Sequence, residues 1–109
     1  PVAGEVGSNE DLLPNVTKLF GNYPNPFNPE TTISFSVKQT SSFVNIYIFN
    51  IKGQKVRTIP VNLSGDEDKG SVTWNGTDKN NQPVASGIYF YQLNVDDKVI
   101  ASKKCLLLK

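Results

Sequence analysis

Histidine is absent from this 109-residue chain, which removes the commonest general base and the commonest metal ligand together. Serine and cysteine nucleophile schemes that rely on an imidazole are excluded with it. The single cysteine, Cys105, cannot close an intrachain disulfide. Its setting in Lys103-Lys104-Cys105-Leu106-Leu107-Leu108 reads as the small apolar filler of a terminal strand. Methionine is missing and the chain opens on Pro1, so it reads as an excised or processed piece, silent on any secretory signal upstream. Long apolar runs are lacking too. A run of four such as Cys105–Leu108 falls far short of the ~18–20 residues of a spanning helix, and no membrane insertion is expected. Charge of one sign is not in excess either: 11 basic and 10 acidic residues are interspersed, for a net charge of +1. Such a balance carries no electrostatic footprint for nucleic acid or an anionic membrane, and neither is expected as a partner.

What the chain does hold is a modest apolar fraction, 38%, rich in the β-formers Val, Ile, Phe and Tyr. Its length suits one core. Residues 1–14 carry Gly4, Gly7, Ser8, Asn9, Glu10, Asp11 and Pro14 without a sustained apolar period, which is linker composition. The domain is therefore expected over residues 15–109. Turn signals recur about every ten residues from there, as in all-β folds, and no window shows a helical stripe.

An irregular edge strand is expected over Val16–Tyr23, stopped by prolines that cannot donate to a ladder. Thr31–Lys38 alternates, with Ile33, Phe35 and Val37 on one face. Ser42–Asn50 carries large side chains on both faces and reads as a central strand. Lys52-Gly53 turns the chain into Gln54–Val61, an edge strand by its charges and Pro60. Leu63–Gly70 reads as a solvated loop, Ser71–Asn75 as a short strand with Val72 and Trp74 inward, and Gly76–Ser86 as a polar connection. Gly87–Val95 then turns at Asp96-Asp97 into Lys98–Leu108. The expected fold is all-β: an immunoglobulin-like β-sandwich of two antiparallel sheets with about seven strands.

Candidate chemistry is sparse. Asp66, Glu67, Asp68 and Asp78 lie in hydrophilic stretches where nothing would raise a carboxyl pKa, so loop charge is the simpler reading than acid–base catalysis. Asp66, Asp68, Asp78 and Asn80 are hard oxygen donors for calcium, but their spacing matches no EF-hand. No cofactor or metal is expected, and no enzyme activity. Asn15-Val16-Thr17, Asn62-Leu63-Ser64 and Asn75-Gly76-Thr77 fit the glycosylation triplet, which chance supplies easily in an Asn-rich chain. Tyr47, Phe49 and Phe90 share an outer sheet face if residues 42–50 pair with 87–95. An exposed face there would stack on sugars or dock a protein, and the simpler expectation is that the N-terminal segment covers it through Phe20, Tyr23 and Phe27. Pro24-Asn25-Pro26-Phe27-Asn28-Pro29 forms a stiff, turned lead-in that seats Phe27 as an apolar plug.

The run Leu19-Phe20-Gly21-Asn22-Tyr23-Pro24-Asn25-Pro26-Phe27-Asn28-Pro29-Glu30-Thr31-Thr32-Ile33 resembles the opening motif of the C-terminal sorting domains of type IX secretion substrates. Val44–Asn50 with Lys52-Gly53, then Gly87-Ile88-Tyr89 and the terminal Lys103-Lys104 with its apolar end, extend the likeness over residues 19–109. The resemblance implies a non-catalytic signal read in folded form by the type IX translocon and its sorting peptidase. The upstream cargo domain of the same chain would pass from periplasm to cell surface or medium, with cleavage within residues 1–18. Recognition residues carried over are Pro24, Asn25, Pro26, Phe27, Gly87, Tyr89, Lys103 and Lys104. The stretch Trp74-Asn75-Gly76-Thr77-Asp78 with Pro83–Tyr89 is similar to the immunoglobulin-like domain of flagellar hook-capping proteins, which implies a structural assembly module instead. A carbohydrate-binding accessory module is a third reading, conditional on an exposed Tyr47, Phe49 and Phe90 face.

Overall fold

The computed structural model describes residues 17–37, 43–62 and 69–109, and every regular element among them is a strand. In chain order these are β1 (Lys18–Tyr23), β2 (Thr31–Ser36), β3 (Val44–Phe49), β4 (Lys55–Pro60), β5 (Lys69–Trp74), β6 (Gly87–Val95) and β7 (Lys98–Leu107). One sheet has the order β1-β2-β5 and the other β4-β3-β6-β7, all neighbours antiparallel. This is an immunoglobulin-like sandwich.

Alternation explains which faces meet. Ile33 and Phe35 of β2 are buried while Thr32 and Ser34 between them are half-buried. Val44, Ile46 and Ile48 of β3 and Tyr89, Tyr91, Leu93 and Val95 of β6 supply the opposing layer. Each such side chain contributes about 1.5–3 kcal/mol on leaving water. β3 lies centrally and β4 at an edge, as their side chains foretell. β1 is an edge strand with a register shift between Leu19 and Gly21. Asp96 and Asp97 close the β6–β7 hairpin with φ of 50° and 68°, the paired left-handed turn whose twist matches the strands it joins. Between β3 and β4 the Asn50 Oδ1 accepts the amides of Lys52 and Gln54 at 2.9 and 3.0 Å.

Two expectations need correction. Lys69 and Gly70, read as loop, belong to β5 and pair with Ser36 and Phe35. Gly70 is glycine for a packing reason: a Cβ there would lie 2.7 Å from the Phe35 ring. The N-terminal segment does not cover the outer face of the four-stranded sheet, because β1 pairs with β2 in the other sheet and Phe27 turns into the core. Phe20 and Tyr23 stay 47% and 82% exposed. The linker 1–14, the segment expected to be cleaved as far as Val16, residues 15–16 of the first triplet, residues 63–64 of the second, and Asp66, Glu67 and Asp68 lie outside the described residues, as do Lys38 and Ser42 at the expected strand ends. Among the described residues no helix is long and apolar enough to cross a membrane.

Candidate functional site

Three pieces of chain far apart in sequence meet at one end of the sandwich: residues 22–31, residues 74–89, and the close of β7. The first piece leaves β1 through three cis X–Pro bonds at Pro24, Pro26 and Pro29. Prolines there leave few backbone donors, and side chains take over the bonding. Thr31 Oγ1 donates to the Pro24 carbonyl at 2.8 Å, and Asn22 Nδ2 donates to Thr31 Oγ1 at 3.0 Å. From the opposite sheet the Tyr91 hydroxyl donates to Asn22 Oδ1 at 2.9 Å.

That turned segment is stitched to the last strand. The Phe27 amide donates to the Leu106 carbonyl at 3.0 Å and the Leu108 amide to the Phe27 carbonyl at 2.9 Å. Asn25 Oδ1 accepts the Leu106 amide at 3.0 Å. So a short parallel bridge caps the free edge of β7, which would otherwise present unpaired backbone groups. Phe27, 2% exposed, tilts against Trp74 with ring centroids 5.6 Å apart, and Trp74 meets Tyr89 edge-to-face at 5.2 Å. The plug and the inward Trp74 expected from sequence are both found.

The middle piece is held in the same way. Trp74 Nε1 donates to the Thr77 carbonyl at 2.9 Å, and the Tyr89 hydroxyl donates to the Ala85 carbonyl four residues upstream at 2.7 Å. The second bond has the form of a tyrosine corner. Gly76, at φ +75°, brings its backbone against the Pro29 carbonyl and the Leu107 side chain. Arg57 reaches over from β4 and donates to Thr77 Oγ1, the Asp78 carbonyl and Asn81 Oδ1. Asp78 Oδ1 accepts the amides of Asn80 and Gln82, so this carboxylate serves a turn. Ser86 Oγ accepts the amide of Lys109 at 3.0 Å.

Of the residues singled out from sequence, Pro24, Asn25, Pro26, Phe27, Gly87 and Tyr89 thus gather here, and Lys104 joins them. Lys104 borders a shallow depression of about 260 Å³ with Asn25, Ile88 and Leu106. Lys103 does not join: it follows Lys104 in the pleat onto the other face, opposite Tyr91. Tyr47, Phe49 and Phe90 lie half-buried on the outer face of the four-stranded sheet. Sequence reasoning missed Asn22, Thr31, Ala85, Ser86 and Arg57, whose roles are hydrogen bonds to residues distant in sequence or to turn carbonyls; the spacing of Tyr89 behind a turn is the one signal that pointed to any of them.

Burial governs the titrating groups. It pushes the Cys105 thiol up to about 11 and the Tyr91 phenol up to about 12, the latter with a smaller push from Cys105. Tyr89 is raised for the same reasons. A protonated, buried thiol is a filler and not a nucleophile. Among the described residues no three His, Cys, Asp or Glu side chains cluster as a metal set.

The model of the FlgD Ig-like domain matches residues 22–98. No curated protein gives a match. Among solved structures, dimeric latent PorU from Porphyromonas gingivalis is 21% identical, with a TM-score of 0.74 over 89% of this chain and 10% of PorU. PorZ of the same bacterium, a surface component of the type IX secretion system, is 18% identical, with a TM-score of 0.56 over 84% of this chain and 11% of PorZ. FlgD from Xanthomonas campestris, described in terms of hook capping in flagellar assembly, is 22% identical, with a TM-score of 0.58 over 94% of this chain and 73% of FlgD. The chain spans about a tenth of the length of PorU and of PorZ. At these identities the likeness is one of fold.

Proposed function

The chain belongs to the FlgD Ig-like domain family, and from that footing we propose that residues 15–109 act as a non-catalytic C-terminal sorting domain. In this reading the folded domain directs an upstream cargo domain through the type IX outer-membrane translocon, from periplasm to cell surface or medium, with a sorting peptidase cutting ahead of it. The observation that carries the reading is the bonding of the Pro24–Pro29 lead-in to the end of β7 through Asn25 and Phe27. A signal read in folded form needs a surface that exists only when both ends of the domain are present, and this junction is one. Fold likeness to PorZ, a surface component of that system, supports the reading. Pro24, Asn25, Pro26, Gly87, Tyr89 and Lys104 are the residues expected to form or support that surface, and Lys103 is expected to matter less.

A hook-cap-like structural module is the second reading, favoured by the match over most of the length of Xanthomonas FlgD. Fusing the chain to a periplasmic reporter in a type IX-competent bacterium separates the two. Reporter outside wild-type cells and inside translocon-deficient ones is the expected outcome. A folded fusion retained in the periplasm of both strains would move the assignment to an assembly module.

A further inference from the structure

One register row crosses the whole outer face of the four-stranded sheet: Lys55, Phe49, Phe90 and Lys104, each paired with the next on the neighbouring strand. At about 4.8 Å per strand, the two lysine backbones stand about 14 Å apart. The adjacent outward row is Thr58, Tyr47, Gln92 and Ser102. Lys55 Nζ lies 4.1 Å from the Tyr47 ring centroid, and Tyr47 meets Phe49 edge-to-face at 6.4 Å. Gln92 Oε1 accepts the Asn94 amide at 2.9 Å, which orients the Gln92 side chain. Neither row contains a carboxylate.

We infer that these two rows bind an acidic polysaccharide. The half-buried Phe49 and Phe90 offer apolar surface to the C–H side of pyranose rings, Lys55 above Tyr47 and Lys104 at the other end pair with carboxylates, and Thr58, Gln92 and Ser102 bond to sugar hydroxyls. A protein partner is the poorer fit, since protein anchors fill pockets and these rows present rings beside neutral polar groups on a sheet face. The inference is independent of the sorting reading, and export assays do not bear on it.

Titration calorimetry of the full chain with polygalacturonate, its fully methyl-esterified form and poly-L-glutamate tests it. Polygalacturonate is expected to bind at least about tenfold more tightly than either of the others. Lys104→Gln and Phe90→Thr are each expected to weaken it about tenfold, the first without changing Tm. Where Phe90→Thr fails to fold, the surface change Lys55→Gln takes its place with the same expectation. Absence of polygalacturonate binding, equal binding of polyglutamate, or binding unchanged in Lys104→Gln would each overturn the inference.

Discussion

The Asn25 side-chain carbonyl accepts the backbone amide of Leu106 at 3.0 Å, across 81 positions of sequence. A residue in the lead-in to β2 thereby completes the hydrogen bonding of the last strand. The same two segments exchange amide and carbonyl bonds through Phe27, so the lead-in behaves as a short extra strand on the β7 edge.

Asn25→Ala is expected to cost about 1 kcal/mol, the usual net worth of one such bond. Urea denaturation reads the loss, and hydrogen exchange should show the Leu106 amide opening before the β6–β7 core. An unchanged midpoint with unchanged Leu106 protection would mean that Asn25 does not hold the strand.

Phe27→Ala should be far more damaging, at about 3–5 kcal/mol, because it empties a buried ring site against Trp74 and Tyr89. A loss under about 1 kcal/mol would show that the site collapses around the missing ring. Fluorescence of Trp74, the only tryptophan, reports the same event directly.

Alternation made the strands legible: Ile33, Phe35, Ile46, Ile48, Tyr91 and Leu93 point inward as their periods require. Gly70 misled because a missing side chain reads as a loop, whereas in the sheet it makes room for Phe35. The gathering of Asn25, Tyr89 and Lys104 at one end was not legible from periodicity, since it rests on bonds between segments distant in sequence such as that from the Leu106 amide to Asn25 Oδ1. Chain pattern names faces; it does not say which loop ends meet.

Alkaline pH should destabilise the domain. Cys105 is raised from 9.0 to about 11 in the fold, so between those values the unfolded chain has lost the thiol proton while the folded one keeps it. Stability is therefore full below pH 9 and falls as pH rises toward 11, with Tyr91 extending the fall toward 12. Cys105→Ala removes the thiol contribution, so its urea midpoint should decline less steeply over pH 9–11 than that of the unaltered chain. Parallel declines would mean that the thiol is not the titrating group.

Gly76→Ala tests whether the middle piece is fitted to the other two. At φ +75° an alanine pays about 1–2 kcal/mol of backbone strain on its own. Its Cβ would also stand 3.2 Å from the Pro29 carbonyl, so the lead-in must shift or the turn must open. If the three pieces act as one unit, Gly76→Ala and Asn25→Ala together should depart from the sum of their separate effects by more than about 0.5 kcal/mol, the margin within which distant sites add. Additive losses would mean that the lead-in and the turn are held independently, each by its own contacts with β7.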